Sequence, residues 1–424
     1  MDKSMLPKPV EQRSDVNGDA IVRNRPYVVA RGARPSILIY RTALLPLSET
    51  FVLSQPEALE HFTPYFVGCT QVDGLRLPEG RAFFIANNSA LGSAQKMMYK
   101  AFGFAPHWTR ELRRLDPVLV HTHFGVDSVQ GLRLARRLGV PLVVTFHGYD
   151  ATMKEEYARS FSYDFRRYLR WRPIIQKEAS LFVAVSEFVR GKLIEQGFPP
   201  EKICVHYVGV DTELFAPDPS VPRKPVVLFA GRLVDSKGCD YLIRAMALVQ
   251  RKVPEARLVI IGDGPRRHEL EQMASACLRN FSFLGARPQS DVRHWMNRAK
   301  VFSVPSFTTP MGTSEGFGLV FAEAQAMGLP VASFATGGIP EAVAHEVTGL
   351  LAKEQDVEGL AANIVKLLSD EALWRRFSIA ATRRAREYFD LREQSAKLEE
   401  MYGLLLNHQT AAAISGALSV SLQG

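Results

Sequence analysis

The stretch Val226-Val227-Leu228-Phe229-Ala230-Gly231-Arg232-Leu233-Val234-Asp235-Ser236-Lys237-Gly238 opens as an apolar run and turns into a glycine-bounded loop that carries two cations. A helical pattern begins near Asp240. Strand, loop and crossover helix form the unit from which parallel sheets are wound, because the helix returns the chain to the same edge before the next strand starts. The alternation recurs on both sides of this stretch. Upstream, residues 36–40, 118–122, 142–146, 181–185 and 203–207 read as strands, and downstream so do 258–262, 281–284, 301–304 and 331–334. The fold class is α/β.

Between the two sets lies Ala216-Pro217-Asp218-Pro219-Ser220-Val221-Pro222-Arg223-Lys224-Pro225, with four prolines in ten residues. Such a segment holds neither a helix nor an interior strand, so it reads as a domain linker and hinge. The 424 residues, 46% of them hydrophobic, suffice for two cores. The expected organisation is a tail over 1–34, a doubly wound domain over 35–215, the linker 216–225 and a second doubly wound domain over 226–385. Beyond these lie an amphipathic helix within 386–408 that crosses back to the first domain, and a tail over 409–424. Two such sheets face each other across a cleft at the C-terminal ends of their strands.

Cys69, Cys204, Cys239 and Cys277 form no C-x-x-C pair, which suggests neither a zinc site nor a disulfide framework and points to a reducing cytoplasm. No apolar run reaches the ~20 residues that span a bilayer, and the first residues lack the apolar core of a signal peptide. Of the net charge of +8, all is accounted for by residues 96–177, where 15 Lys/Arg face 7 Asp/Glu. An anionic partner follows. Within that region Phe165-Arg166-Arg167-Tyr168-Leu169-Arg170-Trp171-Arg172 interleaves aromatic and basic residues, which suits an anionic membrane surface; a solvated helix face with Trp171 packed inward is the other reading. No nucleic-acid-binding signature accompanies the charge.

Glu315-Gly316-Phe317-Gly318-Leu319-Val320-Phe321-Ala322-Glu323 places one carboxylate in a glycine-rich loop and another inside the helix that follows. Free N–H groups at a helix start suit phosphate, and nearby carboxylates accept from hydroxyls, so the ligand expected is a nucleotide sugar. Arg232 and Lys237 can bracket its diphosphate. Gly231 and Gly264, in Gly262-Asp263-Gly264-Pro265, lie on adjacent strand-end turns, and Thr336-Gly337-Gly338-Ile339-Pro340-Glu341 is a further strand-to-helix turn. The first domain offers His121-Thr122-His123-Phe124-Gly125, Thr145-Phe146-His147-Gly148-Tyr149-Asp150 and the loop Leu45-Pro46-Leu47-Ser48-Glu49-Thr50-Phe51. Histidines at strand ends serve either as hydrogen-bonding struts or in catalysis, and no fourth ligand supports a metal.

In combination, Gly231-Arg232…Lys237-Gly238, Pro305-Ser306, Glu315-Gly316-Phe317-Gly318 with Glu323, and Thr336…Glu341 resemble the donor half of retaining glycosyltransferases of family four, which have the GT-B fold. Phe146-His147-Gly148-Tyr149-Asp150 is similar to that family's histidine loop, and Val205-His206-Tyr207-Val208-Gly209-Val210-Asp211 to its N-P-x-G-V-D segment without the Asn-Pro. The resemblance implies that Arg232 and Lys237 hold the donor diphosphate together with backbone N–H groups near Gly318 and Leu319. Glu315 would bind the donor's sugar and Glu323 its ribose, with His147 beside the reacting sugar. Gly231, Gly264, Gly316 and Phe317 complete the expected donor pocket. Many members carry Gly-Gly in the first loop; here Ser48-Glu49-Thr50-Phe51 is similar to the loop of enzymes that build capsular and exopolysaccharides, such as colanic-acid transferases. Ser48, Glu49 and Thr50, with His123 and Asp150, are the expected acceptor contacts.

The function expected is metal-independent, retaining transfer of a hexosyl unit from a nucleotide diphosphate sugar to a lipid-linked oligosaccharide. No cofactor is expected, and the enzyme would sit in the cytoplasm, peripheral on the membrane. The alternatives are a nucleotide-sugar epimerase of the same fold and a non-catalytic assembly scaffold.

Overall fold

The computed structural model of the protein describes residues 34–44, 46, 49–72, 74–85, 90–407 and 413–414. Its first sheet contains β1 (Ser36–Leu44), β2 (Thr63–Gln71), β3 (Ala82–Phe84), β4 (Leu119–His123), β5 (Leu142–Phe146), β6 (Leu181–Ala184) and β7 (Ile203–Val205). All strands run parallel, in the order β3-β2-β1-β4-β5-β6-β7. The second contains β8 (Val226–Ala230), β9 (Arg257–Ile261), β10 (Phe281–Phe283), β11 (Val301–Phe302), β12 (Val331–Phe334) and β13 (Gly349–Ala352), also parallel, in the order β10-β9-β8-β11-β12-β13. Each order reverses once, beside β1 and beside β8, and such switch points are where doubly wound sheets open to ligands.

Strands buried on both faces read as unbroken apolar runs. In β1, Leu38 and Tyr40 enter one core while Ile37 and Ile39 enter the other, and all four are fully buried. Three strands lie outside the sequence expectation. β2 carries Pro64 at its start and Gly68 inside, β3 is a half-buried edge and β13 is a four-residue strand opening on glycine, so none has the local β signature. They exist because β1, β2 and β12 offer each a paired neighbour.

The chain passes between domains twice, and the two passages are tied together. Val210 N–H donates to the Phe389 carbonyl at 2.7 Å, and Leu391 N–H to the Val210 carbonyl at 2.8 Å. The second passage lies at Asp390, between the helices Glu371–Phe389 and Leu391–Leu406, so the expected boundary at 386 falls inside a helix. The linker 216–225 is stapled to the second domain: Arg223 donates to the carbonyls of Met296, Ala299 and Met327 at 2.5, 3.0 and 2.5 Å. The expected N-terminal tail lies outside the described residues except for Arg34. Of the expected tail 409–424, only Ala413 and Ile414 are described, and Ile414 is fully buried in the first domain's second core.

The run Phe165–Arg172 turns its rings inward. Phe165 and Tyr168 are buried, and Trp171 lies under the Arg133 guanidinium at 4.6 Å. Of the aromatics quoted for a membrane surface, Phe165 and Tyr168 are therefore core residues and Trp171 is half-buried against the core.

Helix Leu391–Leu406 is capped by the Asp390 carboxylate, which accepts from Arg392 and Glu393 N–H. It lies against the first domain. The Glu399 carboxylate meets His61 Nδ1 at 2.8 Å, Ser395 Oγ donates to the Gln55 carbonyl at 3.1 Å, and the fully buried Tyr402 hydroxyl meets His121 Nδ1 at 2.6 Å. Replacing Tyr402 by Phe leaves that imidazole nitrogen unpaired away from water, a cost of about 1–3 kcal/mol. A fall of that size in urea unfolding free energy is expected; an unchanged value would show that the bond does not hold the helix in place.

Candidate functional site

β8 delivers the Gly231–Gly238 loop and β11 the Pro305-Ser306 turn to the edge of the second domain. The Lys237 ammonium is ion-paired with the Glu315 carboxylate, to which Ser306 Oγ also donates at 3.4 Å. The cation expected for phosphate and the carboxylate expected for sugar thus meet each other. An ammonium has three donors, so Lys237 can serve both Glu315 and a phosphate oxygen. Arg232 is exposed and has no ion pair among the described residues. Gly231 accepts its position from the sheet, its N–H donating to the Ile261 carbonyl, and Gly264 packs against Leu233 in the neighbouring turn.

Gly318, at φ 81°, takes the left-handed conformation that turns the loop into helix Leu319–Ala326. No side chain caps this helix start, which leaves its first amides to a ligand. Glu323 stands within this short helix. Its carboxyl has no hydrogen-bond partner among the described residues, and desolvation raises it to about 7. Phe317 is different: its ring is 2% exposed and packs on Tyr207 at 5.5 Å and Phe389 at 5.1 Å. Only its backbone is available to a donor, and the side chain instead links the site to the interdomain passage.

Across the cleft stands His147. Its Nε2 meets His123 Nδ1 at 2.9 Å, and its ring lies between Phe51 at 4.6 Å and Phe124 at 4.7 Å. His123 is 1% exposed and stacks on His121, so it backs His147 rather than opening on the cleft as expected. Burial first, then Arg41, holds His147 well below the usual imidazole range, and it is neutral at pH 7. Asp150 was expected at the acceptor. Its carboxylate is instead 3% exposed and accepts from Gly125 N–H at 2.8 Å, His147 N–H at 3.1 Å and Gly148 N–H at 3.0 Å, which shapes the histidine loop. Desolvation outweighs those donors and raises it to about 6.

Glu49 is likewise committed. Arg41 grips it through Nε at 2.9 Å and Nη2 at 2.6 Å, while its Nη1 pairs with Asp127 and its guanidinium covers the Phe124 ring at 4.3 Å. Phe124 holds φ 70° and ψ 136°, a strained backbone for an aromatic residue. Thr50 opens helix Thr50–Glu57 and is half-buried; Ser48 lies outside the described residues. Arg41 and Asp127 were not foreseen, although a charged residue ending the apolar run 36–40 was a signal.

The two domains touch through the site itself. A Cβ on Gly316 would collide with the His147 carbonyl, so only glycine allows this approach. Ser186 Oγ donates to the Gly316 carbonyl at 2.6 Å. The Glu341 carboxylate reaches over to accept from Glu187 N–H at 2.7 Å, Phe188 N–H at 2.9 Å and the Tyr207 hydroxyl at 3.0 Å. Glu341 therefore closes the start of helix Glu187–Glu195 in the other domain. Among the described residues, no group of three or more His, Cys, Asp or Glu is arranged to hold a metal ion.

Comparison with known proteins places the chain. Residues 210–384 match the glycosyl transferases group 1 model and residues 66–214 the Glycosyltransferase Family 4 model. It is 32% identical over 241 residues to a GDP-mannose-dependent alpha-(1-6)-phosphatidylinositol monomannoside mannosyltransferase of Mycolicibacterium smegmatis, covering 54% of this chain and 63% of that one. It is 30% identical to the amylovoran biosynthesis glycosyltransferase AmsK of Erwinia amylovora (61% and 62% covered) and 31% identical to the putative colanic acid biosynthesis glycosyltransferase WcaL of Escherichia coli (56% and 58%). The chain thus spans less than two thirds of the length of these curated relatives. Among solved structures, Anabaena HepE in complex with UDP-glucose superposes with a TM-score of 0.70 at 22% identity, over 87% of this chain and 99% of that one, which shows the shared GT-B fold.

Removing the Glu341 carboxylate deprives closure of three charge-assisted hydrogen bonds, each worth about 1.5–3 kcal/mol. Glu341→Ala is expected to lower kcat/KM for any reaction at this cleft at least about tenfold and to raise the radius of gyration in small-angle scattering; an unaltered closed population would contradict the latch. A second expectation concerns acid. His121 and His206 fall to about 3 and about 4, and His123 and His147 also lie low, all chiefly through burial, whereas an unfolded chain protonates imidazoles near 6.5. As pH drops from about 6.5 to about 4, the unfolded state takes up protons that the folded first domain refuses, and stability falls. Asp150, raised to about 6, and His61, held above its usual range by its hydrogen bond to Glu399, work in the opposite direction but are two groups against four. The urea midpoint of the first domain should decrease from about pH 7 to about pH 5, and a constant or rising midpoint would mean the imidazoles are not buried neutral.

Proposed function

We propose that this chain, whose halves belong to Glycosyltransferase Family 4 and to the glycosyl transferases group 1, moves a hexosyl unit from a nucleotide diphosphate sugar to a lipid-linked oligosaccharide in cell-surface polysaccharide synthesis, with retention and without a metal ion. One arrangement carries the reading: the Lys237–Glu315 pair and the uncapped start of helix Leu319–Ala326 face His147 across the Gly316 contact.

The chemistry follows from those groups. Departure of the diphosphate leaves positive charge on the anomeric carbon and two negative phosphates to stabilise. Lys237, the exposed Arg232 and the first amides of the helix meet that negative charge, in place of a metal ion. Glu315 accepts from donor sugar hydroxyls while it orients Lys237, and Glu323, unpartnered in the helix, accepts from the ribose. His147 is neutral, with Nε2 committed to His123, so its Nδ1 is the atom that faces the sugar; it polarises and positions but does not attack. Thr50 follows Glu49 of the Arg41–Glu49–Asp127 network in sequence, and we assign its hydroxyl to the acceptor.

The relatives support the acceptor class. Enzymes of amylovoran and colanic acid synthesis, and one acting on a phosphatidylinositol mannoside, work on polysaccharide or lipid-borne sugars. The UDP-glucose held by HepE favours a uridine donor, and the mannosyltransferase names guanosine as its rival.

A thermal-shift screen with UDP, GDP and ADP sugars should single out one donor, since a ligand at 100 times its Kd adds about 2.7 kcal/mol. With that donor and lipid-linked acceptor, Lys237→Ala and Glu315→Gln should each lower kcat about 10²–10³-fold with folding intact. Full activity in both variants would defeat the reading, and interconversion of labelled donor without acceptor would make the protein an epimerase instead.

A further inference from the structure

We propose that His123 fixes the proton of His147 on Nδ1, so that His147 meets the donor substrate as a neutral hydrogen-bond donor and is unable to act as a base. The place of that proton is a property of the protein alone, whereas the group it meets rests on the transferase reading above.

His123 Nδ1 and His147 Nε2 stand 2.9 Å apart, with the ring centroids 5.2 Å apart. A hydrogen bond between two imidazole nitrogens holds one proton. Burial keeps both rings neutral, reinforced at His123 by the neighbouring imidazoles and at His147 by Arg41, so each ring carries a single N–H and a single bare nitrogen. Two arrangements satisfy these conditions. In one, His123 donates from Nδ1, its Nε2 is bare, and His147 carries its proton on Nδ1. In the other, His147 donates from Nε2, His123 carries its proton on Nε2, and His147 Nδ1 is bare.

The far end of the His123 ring separates the two. His123 is 1% exposed, and its Nε2 has no hydrogen-bond partner among the described residues. The nearby hydroxyls of Thr145 and Tyr402 are bonded to His121 Nε2 and Nδ1, each at 2.6 Å, and the His121 ring stacks on His123 with centroids 4.5 Å apart. A proton on His123 Nε2 would therefore be a buried N–H with nothing to accept it, whereas a bare nitrogen there leaves only an unused acceptor. Among buried backbone groups the orphaned N–H is the rarer defect, and imidazole obeys the same asymmetry. The first arrangement holds.

The surroundings of His147 aim its proton at the cleft. Asp150 anchors the His147 and Gly148 amides at 3.1 and 3.0 Å, and Phe51 and Phe124 flank the imidazole at 4.6 and 4.7 Å. A ring held in this way and bonded through Nε2 has Nδ1 left for a ligand. The bond that a histidine makes with one nitrogen decides what the other presents. His147 presents an N–H, so the atom opposite it is an acceptor: a hydroxyl oxygen of the sugar or an oxygen of the phosphate. Its basic lone pair is spent on His123. His123 lies behind it, away from substrate, and is a positioning residue.

NMR spectra of the full chain with isotope-labelled histidine nitrogens test the assignment, because protonated and bare nitrogens of a neutral imidazole resonate far apart. At about pH 7, His147 is expected to show a protonated Nδ1 and a bare Nε2, its signals identified by their loss in His147→Gln. A wild-type His147 protonated on Nε2 overturns the proposal, whatever the activity. His123→Leu removes the donor, and His123→Asn restores an N–H near the lost Nδ1. With the donor sugar found by thermal shift, His123→Leu should lower kcat at least about tenfold with little change in KM and show His147 divided between both tautomers. His123→Asn should recover most of the rate and the single tautomer. Wild-type kcat in His123→Leu would overturn the positioning role, and if that variant does not fold the wild-type spectrum still decides. Absence of transfer with every donor, alongside the expected spectrum, counts against the enzymatic reading alone.

Discussion

There is no room for a side chain between residue 316 and the His147 carbonyl, and the site depends on that approach. Gly316 lets the donor loop of one domain rest directly on the histidine loop of the other. Ser186 fastens the contact by donating to the Gly316 carbonyl, and Glu341 secures it from the flank. The interface is polar and small in its number of bonds, which suits a cleft that has to open. Its covalent counterpart is the pair of passages at Val210 and Asp390, bonded to each other and sealed by the Tyr207–Phe317–Phe389 rings. One ring of that cluster, Phe317, belongs to the donor loop, so movement at the hinge and movement at the site are mechanically the same event.

The electrostatics divide along the cleft. In the first domain, cations and carboxylates are buried and already satisfied: Arg41 with Glu49 and Asp127, Asp150 with three backbone donors. Breaking such a set would strand a charge in low dielectric, so these residues fix geometry. In the second domain, Arg232 is exposed, Lys237 has donors to spare and Glu323 has no partner among the described residues. Pre-organised groups with unspent capacity are what a charged ligand needs. The stack of neutral imidazoles, His121, His123 and His147, separates the two regimes and carries no net charge toward the reacting sugar.

Much of the fold was legible because strands buried on both faces write themselves as apolar runs; β4, β5, β8 and β12 fall within a residue of where composition places them. β2, β3 and β13 were not legible, for Pro64, Gly68 and Gly349 remove local preference and only pairing restores it. Periodicity also marks a stripe without telling which side faces water, and the aromatic side of the conspicuous run from Phe165 proved to be the inward-facing one.

The sequence by itself determined the parallel α/β architecture, the proline-rich break between domains and the set of residue types able to meet a diphosphate and a sugar, because these are written in local composition and spacing. Tertiary structure decided which charged groups are free and which are spent. Glu49, His123 and Asp150 look like ligand-binding residues in the chain and become struts in the fold, while Glu341 changes from a helix-start residue into a clasp on Tyr207 and the Glu187–Glu195 helix. The reason is that a side chain's chemistry is local, whereas its partner is supplied by whatever distant segment the packing brings within hydrogen-bond reach.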